Sequence, residues 1–287
     1  MQFKVEAMFD HIRLDNFVAK QLPLIGRSQA KKMCAQGEVL INKQIAEPTD
    51  RVVAGDTVTI YMEFMKQAIP DIKIPILYED DNCVVIDKPI GVLSHSKGRY
   101  NPEATVASWL QNRYKQLGDG RDGIVHRLDR ATSGVMICAK NKEAYAWFQK
   151  QFSQRKVKKT YIALINGKLD PPEAIIDMPI ERNPKAPATF RVGANGKPSL
   201  THYLTLQVTQ KYSLLELKPE TGRTHQLRVH LKKLNHPIVG DTLYDGEKAS
   251  RLFLHAHKLD LQLPDKKTAI FISKIPREFF KQLKSTN

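Results

Sequence analysis

From Ile76 onward the chain is a succession of short apolar runs broken by turns: ILYED, CVVIDKP, GIVHRLD, GVMICAK, TYIALING, SLTHYLTLQV and YSLLELKP, with helical stretches between some of them. Runs of this length bounded by Gly, Pro, Asn and Asp read as strands, and interspersed helices must pack on the sheet they form. The expectation is one mixed, largely antiparallel sheet with packed helices, an α+β domain reaching about residue 275. At 287 residues the chain has room for that core and a smaller module.

The smaller module is expected in residues 1–62, where Ile12, Leu14, Phe17, Val18 and Leu22 recur at helical spacing. A second short helix is expected from Ser28, with Ser28 as its N-cap and Gly37 as its stop. VLIN, a loop with Pro48, and DTVTIYM follow, the last alternating Val58 and Ile60 with Thr57 and Thr59 as a half-buried strand does. Residues 63–75, EFMKQAIPDIKIP, hold two prolines and no clear period and read as a linker, which leaves 76–287 for the main domain.

The formal charge of +15, from 45 Lys and Arg against 30 Asp and Glu, exceeds what solubility requires and would attract a polyanion, nucleic acid first. A solvated basic surface without a partner has the same composition. Arg27, Lys31 and Lys32 cluster on the second helix in a pattern suited to phosphates. The cysteines Cys34, Cys83 and Cys138 form no CxxC pair and leave one over, so a reducing cytoplasm is expected rather than a disulfide framework. No apolar run approaches the ~20 residues of a membrane span, so no membrane partner is expected. Gly118, Gly120 and Gly123 match GxGxxG but follow a polar helical stretch and precede an apolar run, the reverse of a phosphate loop's context. Asp119 and Asp122 are too sparse for a calcium loop.

Chemistry is concentrated in four segments. HRLDRATSG sets Asp129 between Arg127 and Arg130 before a Thr-Ser-Gly turn. A carboxylate at a strand end beside cations suits a nucleophile or general base, and it equally suits a turn cap held by its arginines. KPIGVLSH ends a strand at Lys88 and Pro89, with Gly91 for a tight turn. QRKVKKTYIALING crowds Arg155, Lys156, Lys158 and Lys159 before Tyr161, a combination fit for backbone contact and base stacking. In KPETGRTHQLRVHLKKLNHPIVGD a stripe of Leu227, Leu231 and Leu234 marks a helix ended by Asn235, His236 and Pro237, with Arg223 at its N-terminus. His225 and His230 are five apart without neighbouring Cys or carboxylate ligands, so no zinc site is expected and both histidines read as structural or RNA-facing.

Taken in order, KPIGVLSH, GIVHRLDRATSGVMICAK, KKTYIAL and GRTHQLRVHL…HPIVGD resemble the motifs of the RluA-type pseudouridine synthase family, and RLDNFVAKQL, GRSQAKKMCAQGEVLIN and GDTV resemble the S-four-type RNA-binding domain that often precedes such a catalytic domain. The resemblance implies that a uridine's glycosidic bond is broken, the uracil turned and carbon 5 joined to the ribose, with no cofactor or metal. It implies that Asp129 is the catalytic aspartate, that Tyr161 lies against the target base as a candidate general base, and that Arg223 is the basic partner of the aspartate. Arg127 takes the position that fills the gap left by the extruded base. Lys158, Lys159 and Arg228, with Arg27, Lys31 and Lys32, complete the expected RNA contacts. The expected partner is RNA, ribosomal (23S) RNA first and tRNA as the alternative, bound by a monomer. A non-catalytic RNA-binding assembly factor is the alternative in another class. Ser94, Asn235 and Asp245 depart from the family pattern, which leaves loop geometry open.

Overall fold

The computed structural model describes residues 1–62, 70–96, 103–114 and 123–285. The chain divides into two compact units, Met1–Ile72 with Ser96–Thr105, and Lys73–His95 with Val106–Asn287. Of the expected linker, residues 63–69 lie outside the described residues, as do Gly118, Asp119, Gly120 and Asp122, while 70–75 carry neither helix nor strand.

The first unit contains β1 (Gln2–Lys4), α1 (Leu14–Gln21), α2 (Arg27–Ala35), β2 (Val39–Ile41), β3 (Gln44–Ile45) and β4 (Thr57–Ile60). Its strands form an antiparallel sheet ordered β1-β4-β2-β3. Alternation along β4 buries Val58 and Ile60 against Phe17, Val18, Ala30 and Met33 of the two helices. The cap of helix α2 lies two residues earlier than its sequence suggests. The carbonyl of Gly26 accepts the first helical bond, from Ala30 N at 3.0 Å, so Gly26 holds the cap position and Ser28 falls in the first turn without a capping role. Gly37, at φ 73°, ends the turn as expected, its N–H bonded to Cys34 O and that of Glu38 to Met33 O.

The second unit runs β5 (Ile76–Glu79), β6 (Cys83–Lys88), α3 (Val106–Arg113), β7 (Ser133–Ala139), α4 (Lys142–Ser153), β8 (Lys158–Asn166), β9 (Glu173–Asp177), β10 (Ile180–Arg182), β11 (Phe190–Val192), β12 (Leu200–Val208), β13 (Tyr212–Pro219), α5 (Gln226–Lys233), β14 (Leu254–Gln262), β15 (Thr268–Ile272) and α6 (Arg277–Lys284). Nine strands make one mixed sheet ordered β5-β6-β7-β14-β8-β13-β12-β9, with β15 on the far end of β14, and β10 and β11 form a separate hairpin. Among the described residues every pairing in the sheet is antiparallel except β7 with β14. The core lies on β8 and β13, whose Ile162, Leu164, Leu215 and Leu217 pack with Leu227 and Leu231 of α5 and Phe279 and Leu283 of α6. Packing therefore continues past the expected end near 275.

GIVHRLD is the segment whose structure differs from expectation. Only Ile124 pairs, as an isolated bridge to Cys138, and the chain then runs as a loop into a turn closed by Thr132 N on Asp129 O at 3.0 Å. Instead of a strand partner, Leu128 has the hydroxyl of Ser94, which donates to Leu128 O at 2.8 Å and accepts from Leu128 N at 3.0 Å. The apolar residues Ile124 and Leu128 are buried loop anchors rather than ladder members.

Gly134 likewise serves a different purpose from the bend its sequence suggests. It stands in β7 opposite Ala256, at φ 119°, and a Cβ there would fall 2.1 Å from Ala256 O. Contact this close between two backbones admits only glycine. Gly134→Ala is expected to lower unfolding free energy by about 2 kcal/mol or more, through strain the buried strands cannot relieve. Thermal unfolding of the variant checks this; an unchanged midpoint would contradict it.

Candidate active site

Asp129 sits in the turn that enters β7, held from three directions. Gly91 N, at φ 86° after β6, donates to Arg130 O at 2.8 Å, Ser94 grips Leu128, and Gly134 presses β7 onto β14. Tyr161 projects from β8, where it pairs with Ala256, the residue that also faces Gly134. One position of β14 thus sets the register of both the aspartate's turn and the tyrosine's strand.

The remaining wall comes from the segment around α5. Arg228, in the helix, gives Nε and Nη2 to the two oxygens of Asp241 at 2.7 Å and 2.6 Å, and both side chains are buried. With two of its nitrogens fixed, its Nη1 points to Asp129 Oδ2 at 3.7 Å. His225 precedes the helix in left-handed backbone, φ 56°, and brings Nε2 to the same oxygen, also at 3.7 Å. Neither oxygen of Asp129 accepts a hydrogen bond among the described residues. The carboxylate is therefore flanked at arm's length by a guanidinium nitrogen and a ring nitrogen, and free to engage a reactant.

Asp129, Tyr161, His225 and Arg228 line a cavity of about 550 Å³ together with Arg127, Phe152, Arg155, Lys159, Thr221 and Arg223. Its electrostatics follow from burial. Desolvation pulls the Lys159 amine down to about 8, with Arg155 adding to the effect, and its Nζ reaches Thr221 O at 3.4 Å. Beneath the turn the fully buried Lys88 is likewise lowered to about 8 by desolvation, against the pull of Asp129, while its ammonium donates to Pro89 O and Val92 O. Burial and, secondarily, Asp129 push the Tyr161 phenol well above its ordinary value, so the ring stays protonated. His126, stacked on Phe152 at 4.5 Å and accepting from Ile137 N, is driven down to about 3 by desolvation and is neutral.

The cavity gathers Asp129, Tyr161, Arg127, Lys159, Arg223 and Arg228. The basic partner of Asp129 is Arg228 rather than Arg223, whose Nε is given to Pro198 O at 3.2 Å. The reason is helical: Arg223 lies before α5 in a half-exposed loop, whereas Arg228 lies on the buried face of the helix and meets Asp241 there. Lys158 is turned to a neighbouring cavity of about 490 Å³ with Lys218 and Lys258. Arg27, Lys31 and Lys32 lie exposed on α2 of the first unit, where Arg27 Nε also bonds the buried Asp15 at 3.3 Å. His230 is structural, bonded to Thr201 and Met178 O, but His225 joins the site. Asp241 and Tyr244 escape a reading of the sequence because their spacing to Asp129 carries no periodic signal; the one cue is a carboxylate directly after the conformationally special Gly240. Among the described residues no cluster of His, Cys, Asp or Glu could hold a metal.

Residues 82–233 match the RNA pseudouridylate synthase family, and residues 12–58 match the S4 domain. A protein of Aquifex aeolicus described as an uncharacterized RNA pseudouridine synthase is 37% identical over 260 residues, covering 87% of this chain and 81% of that one. The chain belongs to the RNA pseudouridine synthase family. The synthase is also 35% identical to the ribosomal large subunit pseudouridine synthase D of Borreliella burgdorferi, over 93% of its own length and 87% of the relative's. Among solved structures, human RNA pseudouridylate synthase domain containing 4 superposes with a TM-score of 0.59 at 29% identity, covering 73% of the synthase and 91% of the human chain. The enzyme therefore isomerises uridine to pseudouridine in RNA, and its nine-stranded mixed sheet is the fold of that family.

Asp241→Asn is expected to destabilise the synthase by ~3–5 kcal/mol, because it leaves the Arg228 charge buried without its partner. Arg228→Lys keeps a charge but cannot span both oxygens of Asp241 and still reach Asp129, and should lower turnover about a hundredfold with a smaller loss of stability. Chemical denaturation and single-turnover rates measured on both variants test the pair; full turnover in Arg228→Lys would remove Arg228 from the site.

Proposed function

We propose that the synthase acts in the cytoplasm on large-subunit (23S) ribosomal RNA, with Asp129 as the group that attacks the ribose or takes its proton while uracil leaves. The observation that carries the assignment of Asp129 is its place at the wall of the cavity, oriented by Arg228 and His225 yet hydrogen-bonded through neither oxygen to any described residue. The rRNA target is supported by relatives named for the large ribosomal subunit, including the one from Escherichia coli strain K12, 36% identical over 239 residues. For location, no described helix is long and apolar enough to cross a membrane, and Cys34, Cys83 and Cys138 are all free thiols.

In this reading a uridine is extruded from its stack at a cost of a few kcal/mol and enters the cavity. Arg127, exposed at the rim with Nη1 3.4 Å from His95 Nε2, occupies the vacated space. Tyr161, held as a neutral phenol, lies against the uracil and contributes contact rather than acting as a phenolate base. The bond from N1 to the ribose breaks, carbon 5 bonds in its place, and the proton lost from carbon 5 balances the one gained at N1. Lys159 and Arg223 face the flanking phosphates inside the cavity, and Lys158 does so beside it. Arg27, Lys31 and Lys32 supply further phosphate contacts from the S4 domain.

Mapping pseudouridine across total RNA from cells with and without the gene, complemented by wild type or Asp129→Ala, tests the reading. One or more large-subunit rRNA sites should vanish on deletion and return with wild type alone. Loss confined to tRNA would overturn the target, and restoration by Asp129→Ala would overturn the assignment of the aspartate. Replacing Arg27, Lys31 and Lys32 by alanine should weaken RNA binding and flatten the slope of log affinity against log salt by roughly 0.7–0.9 for each phosphate that is no longer neutralised. Filter binding over a salt series measures that slope, and an unchanged slope would show that α2 does not touch RNA.

A further inference from the structure

His225 is placed by contacts that do more than fill space. Its Nδ1 lies 2.7 Å from the hydroxyl of Tyr244, and that hydroxyl already accepts the backbone N–H of Phe190 at 3.0 Å. With one acceptor site of that hydroxyl in use, its proton is placed to be given to Nδ1; in that arrangement a neutral His225 carries its own proton on Nε2, the nitrogen that faces Asp129 Oδ2. The ring is fixed by two edge-to-face contacts, with Phe190 at 5.7 Å and 77° and with Tyr244 at 5.5 Å and 88°. Tyr244 also lies under the other group that approaches Asp129, the Arg228 guanidinium stacking 4.9 Å from its ring centre. Both groups that approach Asp129 thus rest on one tyrosine, itself held by the β10–β11 hairpin.

We propose that His225 is a positioning residue for Asp129: Tyr244 locks its tautomer, and the resulting Nε2–H, together with Arg228, aims the carboxylate at the nucleotide's sugar. The proposal rests on Asp129 being the reacting group. A neutral donor suits this place better than a second cation. Asp129 must give up negative charge when it bonds to the sugar or takes a proton, and an imidazolium would hold that charge back. The groups around the ring balance toward neutrality. Burial is the largest influence and lowers its pKa below the ordinary histidine value. Arg228 and Arg127 push the same way, against Asp129 and Asp241.

The test measures single-turnover pseudouridine formation by the full chain on ribosomal RNA extracted from a strain lacking the gene, as a function of RNA concentration and pH. His225→Leu should slow the chemical step about tenfold to a hundredfold with half-saturation little changed, since it removes a group that supports the reacting residue. His225→Gln, which restores an N–H near the Nε2 position, should recover much of that loss. Tyr244→Phe keeps both ring contacts but frees Nδ1, so His225 protonates more easily and the acid limb of the rate profile should move to higher pH. Three outcomes would overturn the proposal: half-saturation rising in His225→Leu while the rate holds, equal impairment of the Leu and Gln variants, or an acid limb unmoved in Tyr244→Phe. Asp129→Ala run in parallel separates this from the reading beneath it, because activity retained there removes the aspartate itself while leaving the His225 measurements interpretable.

Discussion

Burying a guanidinium costs several kcal/mol unless a carboxylate meets it, and Asp241 meets Arg228 with both oxygens, at 2.7 Å and 2.6 Å. The planar fork leaves one nitrogen over, and that nitrogen is the one aimed at Asp129. The aspartate's environment therefore depends on where Asp241 is held. Asp241 lies in a loop with little freedom: its N–H bonds Ile238 O, its carbonyl accepts from Tyr244 N and Gly246 N, and Gly240 before it runs so close to Arg251 that a Cβ would overlap the carbonyl oxygen at 1.7 Å. Ile238 in turn bridges to Ile165 of β8, so the loop is fastened to the strand that carries Tyr161.

A second constraint works from the sheet. Ala256 of β14 faces Gly134 on one side and Tyr161 on the other, so a single backbone position registers the two elements that bring aspartate and tyrosine together. The crossing is reinforced by polar groups, since Arg251 Nη2 donates to Ser133 Oγ, which bonds His255 Nδ1, and His255 Nε2 meets Ser273 Oγ, itself donating to Asp87. Each link in that chain joins a donor to an acceptor, as links in a buried network must. Burial lowers His255 to about 4, which keeps its ring neutral within the chain. The cavity's cations are handled differently: Lys88 is spent on two carbonyls beneath the turn, whereas Lys159 makes one long contact and keeps capacity for an anion.

Much of the fold is legible in order and type. Strands are readable where an apolar run is bounded by turns, as in CVVI and GVMICA, since central strands buried on both faces show little alternation. LHAHKLDLQ does not read as a strand because His255, His257, Lys258 and Asp260 interrupt the pattern; they are placed by β7, β8 and β15 on its flanks, which no local window contains. GIVHRLD misleads for the converse reason. Ile124 and Leu128 are apolar because a loop must anchor in the core to present Asp129, and a loop anchor looks like a strand in sequence. Ser94, a departure from the family pattern, makes sense at Leu128, where a hydroxyl supplies both the donor and the acceptor that a strand would have given.

By itself the sequence determined the inventory: the aspartate between arginines, the tyrosine behind a basic run, the helix of QLRVHL, and the basic surface suited to RNA. It could do so because residue chemistry and short-range spacing are written in the chain directly. Only the tertiary structure decided which arginine serves Asp129. Arg223 and Arg228 are equal as charges, and the choice falls on the one whose helical face turns inward to a carboxylate on a distant loop. It also decided that His225 belongs to the site, because a tautomer is set by what touches the other nitrogen, and that contact, Tyr244, arrives from a part of the chain that helical spacing cannot reach.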